Sequence, residues 1–105
     1  MTGQLVPKRY EGERTIDGIR VTVNGDPLPD QSAIQKFTEH GFEWSYEGAS
    51  PQQLAFAILA DFLDDPDKAV RLSEPFMKTV IANLDNDWVL TGPDVSKALG
   101  EIDKA

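Results

Sequence analysis

The chain of 105 residues contains no cysteine and a single histidine, His40. The absence of cysteine excludes disulfide bonds, a thiol nucleophile and a zinc or iron–sulfur site built from thiolates. A histidine-based zinc site or a nucleophile–histidine–acid triad would depend on His40 alone. We therefore predict no metal, no cofactor and no catalytic residues, so that any catalysis would rest on carboxylates, tyrosine, lysine or serine.

Long apolar runs and positive charge are also scarce. No stretch approaches the roughly 20 apolar residues of a membrane-spanning helix, and the N-terminus has no hydrophobic signal core. We therefore expect a cytoplasmic protein with no membrane partner. Lys and Arg number 10 against 18 Asp and Glu, so the net charge is −8. Direct nucleic-acid binding needs clustered basic residues and is disfavoured.

A β-hairpin is predicted over residues 8–24. The period-2 pattern of a strand is carried by Ile19, Val21 and Val23, which alternate with polar residues. Asp17-Gly18 suits a two-residue type I′ turn. That turn would place Arg14 opposite Val21, on a sheet face that is otherwise mostly apolar.

The next segment predicts a short helix and then a strand. Apolar residues recur at helical spacing near 31–40, and Gly41 is placed to end such a helix in a left-handed conformation. Residues 42–46 alternate aromatic and polar side chains, which is typical of a strand with one aromatic face.

A central buried helix is predicted over residues 51–63. Ser50 suits the N-cap position, Pro51 the first helical position, and Gln53 could complete a capping box. The segment that follows is apolar on nearly all sides, and such helices are usually buried.

Two further helices and a short strand complete the predicted fold. Residues 67–84 show one apolar helical stripe, with a break expected near Ser73 because Pro75 would remove a backbone donor. Residues 88–90 are a candidate strand, and a helix is predicted over 93–103.

These elements predict one α+β domain. A small antiparallel sheet, made of the hairpin, strand 42–46 and the candidate strand 88–90, packs on the central helix. Residues 1–7 are expected to form a flexible N-terminal segment, and residues 8–105 the folded domain. A free edge strand would allow a homodimer, although the sequence does not reveal which strand lies at the edge.

Four residues form the candidate contact surface. Trp44 and Tyr46 share the aromatic face of the predicted strand, while Arg14 and Glu43 are charges placed beside apolar or aromatic residues. Buried charges usually occur in pairs. One interpretation is an ion pair or backbone-bonding network that orders the sheet, and the other is a recessed polar site.

Residues 42–55 read F-E-W-S-Y-E-G-A-S-P-Q-Q-L-A. This stretch resembles the motif F-E-W-G-Y-G-G-S-G-P-A-Q-L-A of a small uncharacterised domain family found in bacteria, archaea and phages, and the similarity extends over about residues 8–102. The chain departs from the motif at Ser45, Glu47, Ser50 and Gln52. The resemblance implies an α+β fold and a phage or mobile-element accessory role, and it implies no activity.

Three hypotheses for function follow. We favour a nonenzymatic accessory domain that acts through contacts with a protein partner. The first alternative is an acidic inhibitor or nucleic-acid mimic, which requires the carboxylates of the helical half to form one continuous face. The second alternative is a small pocket enzyme that uses Glu43, Arg14 and Tyr46.

Overall fold

The computed structural model describes residues 7–104. In chain order the elements are β1 (Arg9–Thr15), β2 (Gly18–Val23), β3 (Asp26–Pro27), α1 (Ala49–Leu63), α2 (Pro66–Thr79), a 3₁₀ helix (Ile81–Asn83), β4 (Trp88–Thr91) and α3 (Gly92–Lys104). The predicted α+β fold is confirmed. Of the predicted N-terminal segment 1–7, all but Pro7 lies outside the described residues.

The four strands form one antiparallel sheet in the order β3-β2-β1-β4. The predicted hairpin 8–24 corresponds to β1 and β2, and the candidate strand 88–90 is β4, which pairs with β1. β4 and the two-residue β3 are therefore the edge strands, which the sequence alone did not identify.

The hairpin turn lies one residue earlier than predicted. Thr15 pairs with Gly18 and Arg14 with Ile19, so the turn residues are Ile16 and Asp17. Gly18 follows the turn with φ 122°, a conformation that glycine adopts at little cost. Arg14 keeps its predicted sheet face because the register differs by two residues, an even number.

Helix α1 is the centre of the core, as predicted, but it begins two residues before Pro51. Its N-cap is Gly48, whose carbonyl oxygen accepts from Gln52 N–H at 3.0 Å. The prediction of a Ser50 cap with a Gln53 capping box is therefore wrong. Seven consecutive residues are buried, namely Gln53, Leu54, Ala55, Phe56, Ala57, Ile58 and Leu59.

Helix α2 is continuous, so the predicted break near Ser73 is wrong. Asp65 caps it by accepting from Lys68 N–H, and Pro66 occupies the first turn. Pro75 removes one backbone donor inside the helix. Buried apolar residues lie on both sides of it, Leu72, Phe76 and Met77, and their packing holds the helix together across this position. The helix ends at Thr79, and the remainder of the predicted 67–84 span includes the short 3₁₀ helix.

Neither the helix predicted near 31–40 nor the strand predicted at 42–46 forms. Gln31 has φ 62°, so a helix does not begin at this residue, and Ser45 has φ 79°, which interrupts a strand. Residues 28–48 instead form one long loop, which contains only a turn at 32–34.

Helix α3 matches the prediction of a helix over 93–103. Thr91 and Asp94 cap its start reciprocally, since Thr91 N–H donates to Asp94 Oδ2 at 2.9 Å and Asp94 N–H donates to Thr91 Oγ1 at 3.3 Å. The hydrogen bonds with Thr91 keep the pKa of Asp94 below its usual range. Within residues 7–104, no helix has both the length and the apolar character needed to cross a bilayer.

Candidate functional site

The Arg14 guanidinium is the centre of the candidate site. Nη1 lies 2.9 Å from Glu43 Oε1, Nε donates to Asn86 Oδ1 at 3.1 Å, and Nη2 donates to the Trp44 carbonyl oxygen at 3.2 Å. The guanidinium carbon also lies 4.6 Å from the centre of the Trp44 ring, which is cation–π geometry. One side chain therefore joins β1, loop 28–48 and the segment that precedes β4.

Glu43 completes this network. Its Oε1 also accepts from the Trp44 N–H at 3.2 Å, so the carboxylate holds both the Arg14 guanidinium and the loop backbone. The Arg14 and Glu43 side chains are 32% and 34% exposed. At that exposure the attraction is partly screened by water. The arrangement matches the interpretation of an ion pair with a backbone-bonding network.

Trp44 is fully buried. Its indole N–H donates to the Asn86 carbonyl oxygen at 3.2 Å, and its ring meets Trp88 edge to face at 5.7 Å between ring centres. The next residue, Ser45, donates its N–H to Ile81 O and its hydroxyl to Leu84 O. The side chain of Trp44 is therefore a packing anchor that offers no surface to a partner in this conformation.

Gly12 makes room for the tryptophan pair. A Cβ atom at this position would lie 2.3 to 2.5 Å from atoms of the Trp88 ring, well inside van der Waals contact. The Trp88 indole N–H is buried and has no hydrogen-bond partner among the described residues. Glycine at position 12 thus allows the rigid indole to lie directly against β1.

Gln53 holds the first half of loop 28–48. This buried side chain accepts from Phe37 N–H at 2.7 Å and donates to Asp30 O at 2.8 Å and Gln35 O at 3.0 Å. The amide therefore satisfies three backbone groups that a helix over 31–40 would have paired internally. This interaction is a physical reason why the predicted helix does not form.

Tyr46 is the most exposed of the four predicted site residues, at 50%. Its ring lies against Gly48, where an added Cβ would be 3.0 Å from Tyr46 Cε2. The structure therefore brings Arg14, Glu43 and Trp44 together and leaves Tyr46 at the surface beyond them. Whether these four residues bind a partner stays a prediction.

Sequence reasoning missed Gln53, Asn86 and Gly12 as organisers of the site. The sequence analysis gives Gln53 a capping role, although its neighbours on α1 are almost all apolar. A lone amide within such a helix is a signal for a buried hydrogen-bonding role, because buried polar groups are usually bonded. Nothing in the local pattern around Asn86 points to Arg14, which is distant in sequence.

A second buried polar contact joins β1 to α1. The hydroxyl of the fully buried Tyr10 donates to Asp61 Oδ2 at 2.6 Å, and Lys8 Nζ lies 3.1 Å from the same oxygen. Burial, the hydrogen bond and the carboxylate charge raise the pKa of the Tyr10 phenol. A phenol held neutral in this way serves as a hydrogen-bond donor and is a poor nucleophile.

Three carboxylates of the helical half are engaged at different places in the fold. Asp61 binds Tyr10 near the start of β1, and Asp65 caps α2. Asp87 lies at the other end of β1, where its Oδ1 accepts from Arg14 N–H at 3.3 Å. This arrangement does not favour the nucleic-acid mimic.

Two surface depressions bear on the pocket-enzyme hypothesis. One of about 490 Å³ lies on the sheet and is lined by residues that include Glu11, Glu13 and Arg20. Another of about 380 Å³ lies between α2 and α3. Neither is lined by Arg14, Glu43 or Tyr46, so neither favours the pocket enzyme built from these residues.

Comparison with known proteins gives a family. The sequence profile of the family of unknown function DUF6166 matches residues 10–101. The match runs from β1 into α3 and covers most of the chain, which therefore belongs to this family. No curated protein matches the chain, and no solved structure matches it.

Proposed function

We propose that the chain is a nonenzymatic accessory domain that binds a protein partner through loop 28–48. The observation that carries the proposal is the loop itself, a long segment without helix or strand that is held in place by buried side chains. Structureless loops longer than about 12–15 residues are uncommon in compact domains, and ordered ones are usually functional. Binding residues are often presented on such loops by a rigid scaffold.

Preorganisation of the loop supports this proposal. Association is weakened when a binding loop must become ordered, and a loop that is already fixed avoids that loss. Gln53 fixes the first half, while Trp44 and Ser45 fix the second. Gln31 and Ser45 adopt positive φ angles, and such costly conformations are concentrated at functional sites.

Tyr46 is the residue of the loop best suited to contact a partner. It is half exposed and its ring is held against Gly48. Tyrosine combines a large apolar ring with a polar hydroxyl, and it is enriched among the residues that dominate binding energy. Ile34 is a second exposed apolar residue on the loop, at 52%.

The remaining predicted site residues have different roles in this proposal. Arg14 and Glu43 border the contact surface as a partly exposed charged pair. Trp44 is buried in the core and anchors the loop there. Charged pairs at the rim of an interface contribute more to specificity and association rate than to affinity.

The proposal includes a cytoplasmic setting and an accessory role in a phage or mobile element. The similarity of residues 42–55 to the motif described above supports the second part. The genes that flank the coding sequence test it, because a mobile-element role predicts integrase, capsid or replication genes nearby. A neighbourhood of housekeeping genes alone would contradict it.

Site-specific photocrosslinking tests the binding proposal. A benzophenone amino acid is placed at Tyr46 and, as a matched control, at the exposed Ser96 of α3. In lysate of the source organism we expect one protein to be crosslinked from position 46 and not from position 96. Crosslinking of the same proteins from both positions, or from neither, would contradict the proposal.

The purified partner then allows a quantitative test. Calorimetric titration should show that Tyr46→Ala weakens binding at least about tenfold, whereas Ser96→Ala leaves it unchanged. Equal affinities for wild type and Tyr46→Ala would exclude Tyr46 as a contact.

A further inference from the structure

The turn between β2 and β3 is an exposed Asn24-Gly25 dipeptide. Val23 pairs with Asp26 across it, and the φ angles of 51° at Asn24 and 89° at Gly25 match a type I′ turn. Both turn residues are exposed. Among the described residues, no atom apart from its chain neighbours lies within 4 Å of a Cβ atom built on Gly25. The peptide group that joins the two residues therefore has room to rotate.

The Asn24 side chain is fixed, whereas the peptide group that follows it is not. Its Oδ1 accepts from the Arg9 backbone N–H at 2.8 Å, and the Asn24 backbone N–H donates to Arg9 O at 2.9 Å. Among the described residues, the Gly25 N–H has no hydrogen-bond partner. Rotation of this peptide group converts the turn to type II′, which keeps φ positive at Asn24 and makes it negative at Gly25. Glycine adopts either sign with similar ease, and the rotation turns the Gly25 nitrogen towards the Asn24 side chain.

These features fit a ring closure at the Asn24 side chain. The Gly25 nitrogen attacks Cγ of Asn24 and gives its proton to water. The new N–Cγ bond closes a five-membered succinimide ring, and the bond from Cγ to Nδ2 breaks to release ammonia. Oδ1 carries the negative charge of the tetrahedral intermediate. The Arg9 N–H already lies 2.8 Å from this oxygen, a distance at which a fixed backbone donor stabilises an oxyanion.

We propose that Asn24 is a site of spontaneous deamidation, a modification for which the chain supplies the nucleophile and water is the second reactant. Water opens the succinimide at one of its two carbonyl carbons and leaves aspartate or isoaspartate at position 24. Either product adds a negative charge to a chain whose net charge is −8. Isoaspartate also lengthens the main chain of the turn by one carbon, which disrupts the pairing of β2 with β3 just before loop 28–48. The inference is independent of the partner proposed for that loop.

The other two asparagines of the chain are internal controls, because neither precedes a glycine. The N–H that follows Asn83, on Leu84, donates to Ile81 O, and Asn86 Oδ1 accepts from Arg14 Nε. The folded protein is incubated at neutral pH, and peptide mapping by mass spectrometry measures deamidation at all three positions. We expect position 24 to react at least about tenfold faster than positions 83 and 86, with isoaspartate among its products.

Asp17→Asn is the matched variant, because it places the same dipeptide at the exposed β1–β2 turn. There Gly18 pairs with Thr15 in the sheet, and residue 17 does not have a positive φ. Within this variant we expect position 17 to react at least about fivefold more slowly than position 24, since the turn and the Arg9 donor are specific to the latter. A peptide of residues 20–27 gives the rate without the fold, which the folded chain should equal or exceed.

Several results would overturn the proposal. One is a rate at position 24 no greater than the rates at positions 83 and 86, or no greater than the rate at position 17 of the variant. Another is a slower reaction in the folded chain than in the peptide, which would mean that the turn protects Asn24. A product that contains aspartate and no isoaspartate would also contradict it, because direct hydrolysis of the amide forms no succinimide.

Discussion

Helix α1 and loop 28–48 lie against each other, yet their backbone polar groups are satisfied in different ways. The helix pairs its own N–H and C=O groups and buries apolar side chains on nearly all sides. The loop depends on side chains from elsewhere, chiefly Gln53 and Arg14. The first kind of order follows from a repeating local pattern, whereas the second depends on single contacts between residues far apart in sequence.

Trp44→Ala should have the largest effect on stability. Although Trp44 belongs to the loop, it is as buried as the residues of α1, and removing a large buried aromatic side chain costs about 4 kcal/mol. Denaturant unfolding measures the change. Tyr46→Ala is the matched control and should cost less than about 1 kcal/mol because this side chain is half exposed. Equal losses for the two variants would mean that Trp44 does not anchor the loop.

Gly12→Ala should cost about 3 kcal/mol, because the added methyl group overlaps the rigid Trp88 ring. Thermal unfolding measures the loss. Gly100→Ala in α3 provides the control, since among the described residues no atom outside the adjacent helical backbone lies within 4 Å of an added Cβ there. That substitution should stabilise the protein by about 0.5 kcal/mol through helix propensity. A harmless Gly12→Ala would show that the tryptophan pair does not lie against β1.

Gln53→Ala should cost about 2 kcal/mol, since three backbone groups of the loop lose their partner. Hydrogen exchange should show faster exchange in residues 30–37 while α1 stays protected. Gln52→Ala is the control, because Gln52 makes one side-chain hydrogen bond, to Ser73 Oγ. Uniformly faster exchange over the whole chain would contradict the specific role of Gln53.

Tyr10→Phe should cost about 1 kcal/mol at neutral pH, the smallest of these effects, through loss of the bond to Asp61. The raised pKa of Tyr10 means that the neutral phenol stabilises the fold below about pH 10 and that this contribution is lost at higher pH. The stability of the wild type should therefore fall more steeply than that of Tyr10→Phe above pH 10. Parallel alkaline profiles would contradict a buried neutral phenol.

The regular elements were predicted from the sequence, whereas the structure of loop 28–48 was not. The hairpin, α1, β4 and α3 each have a period or a cap that is visible in a few neighbouring residues. The alternation of aromatic and polar residues at 42–46 was equally regular, but it does not mark a strand. Trp44 faces the core, and Ser45, at φ 79°, turns the chain. Strand periodicity alone does not distinguish these two cases.

The candidate site was predictable in part. Arg14 and Glu43 stood out as charges among apolar residues, and an ion pair, now seen at 2.9 Å, was one of the two interpretations that the sequence left open. Asn86, which accepts from Arg14 and from Trp44, was not predictable. Its role depends on how the chain returns to β4, and no local pattern encodes that approach.

Amide hydrogen exchange by NMR tests the central claim, that loop 28–48 is held rigid by its hydrogen bonds to the rest of the domain, most directly. The Phe37 N–H donates to Gln53 Oε1 and the Ser45 N–H donates to Ile81 O. We predict that both amides are protected to within about tenfold of those in α1, whereas the amide of Ile16 at the exposed hairpin tip exchanges freely. Exchange of Phe37 and Ser45 as fast as Ile16 would show that the loop is not preorganised, and would contradict the account of how this domain presents a binding surface.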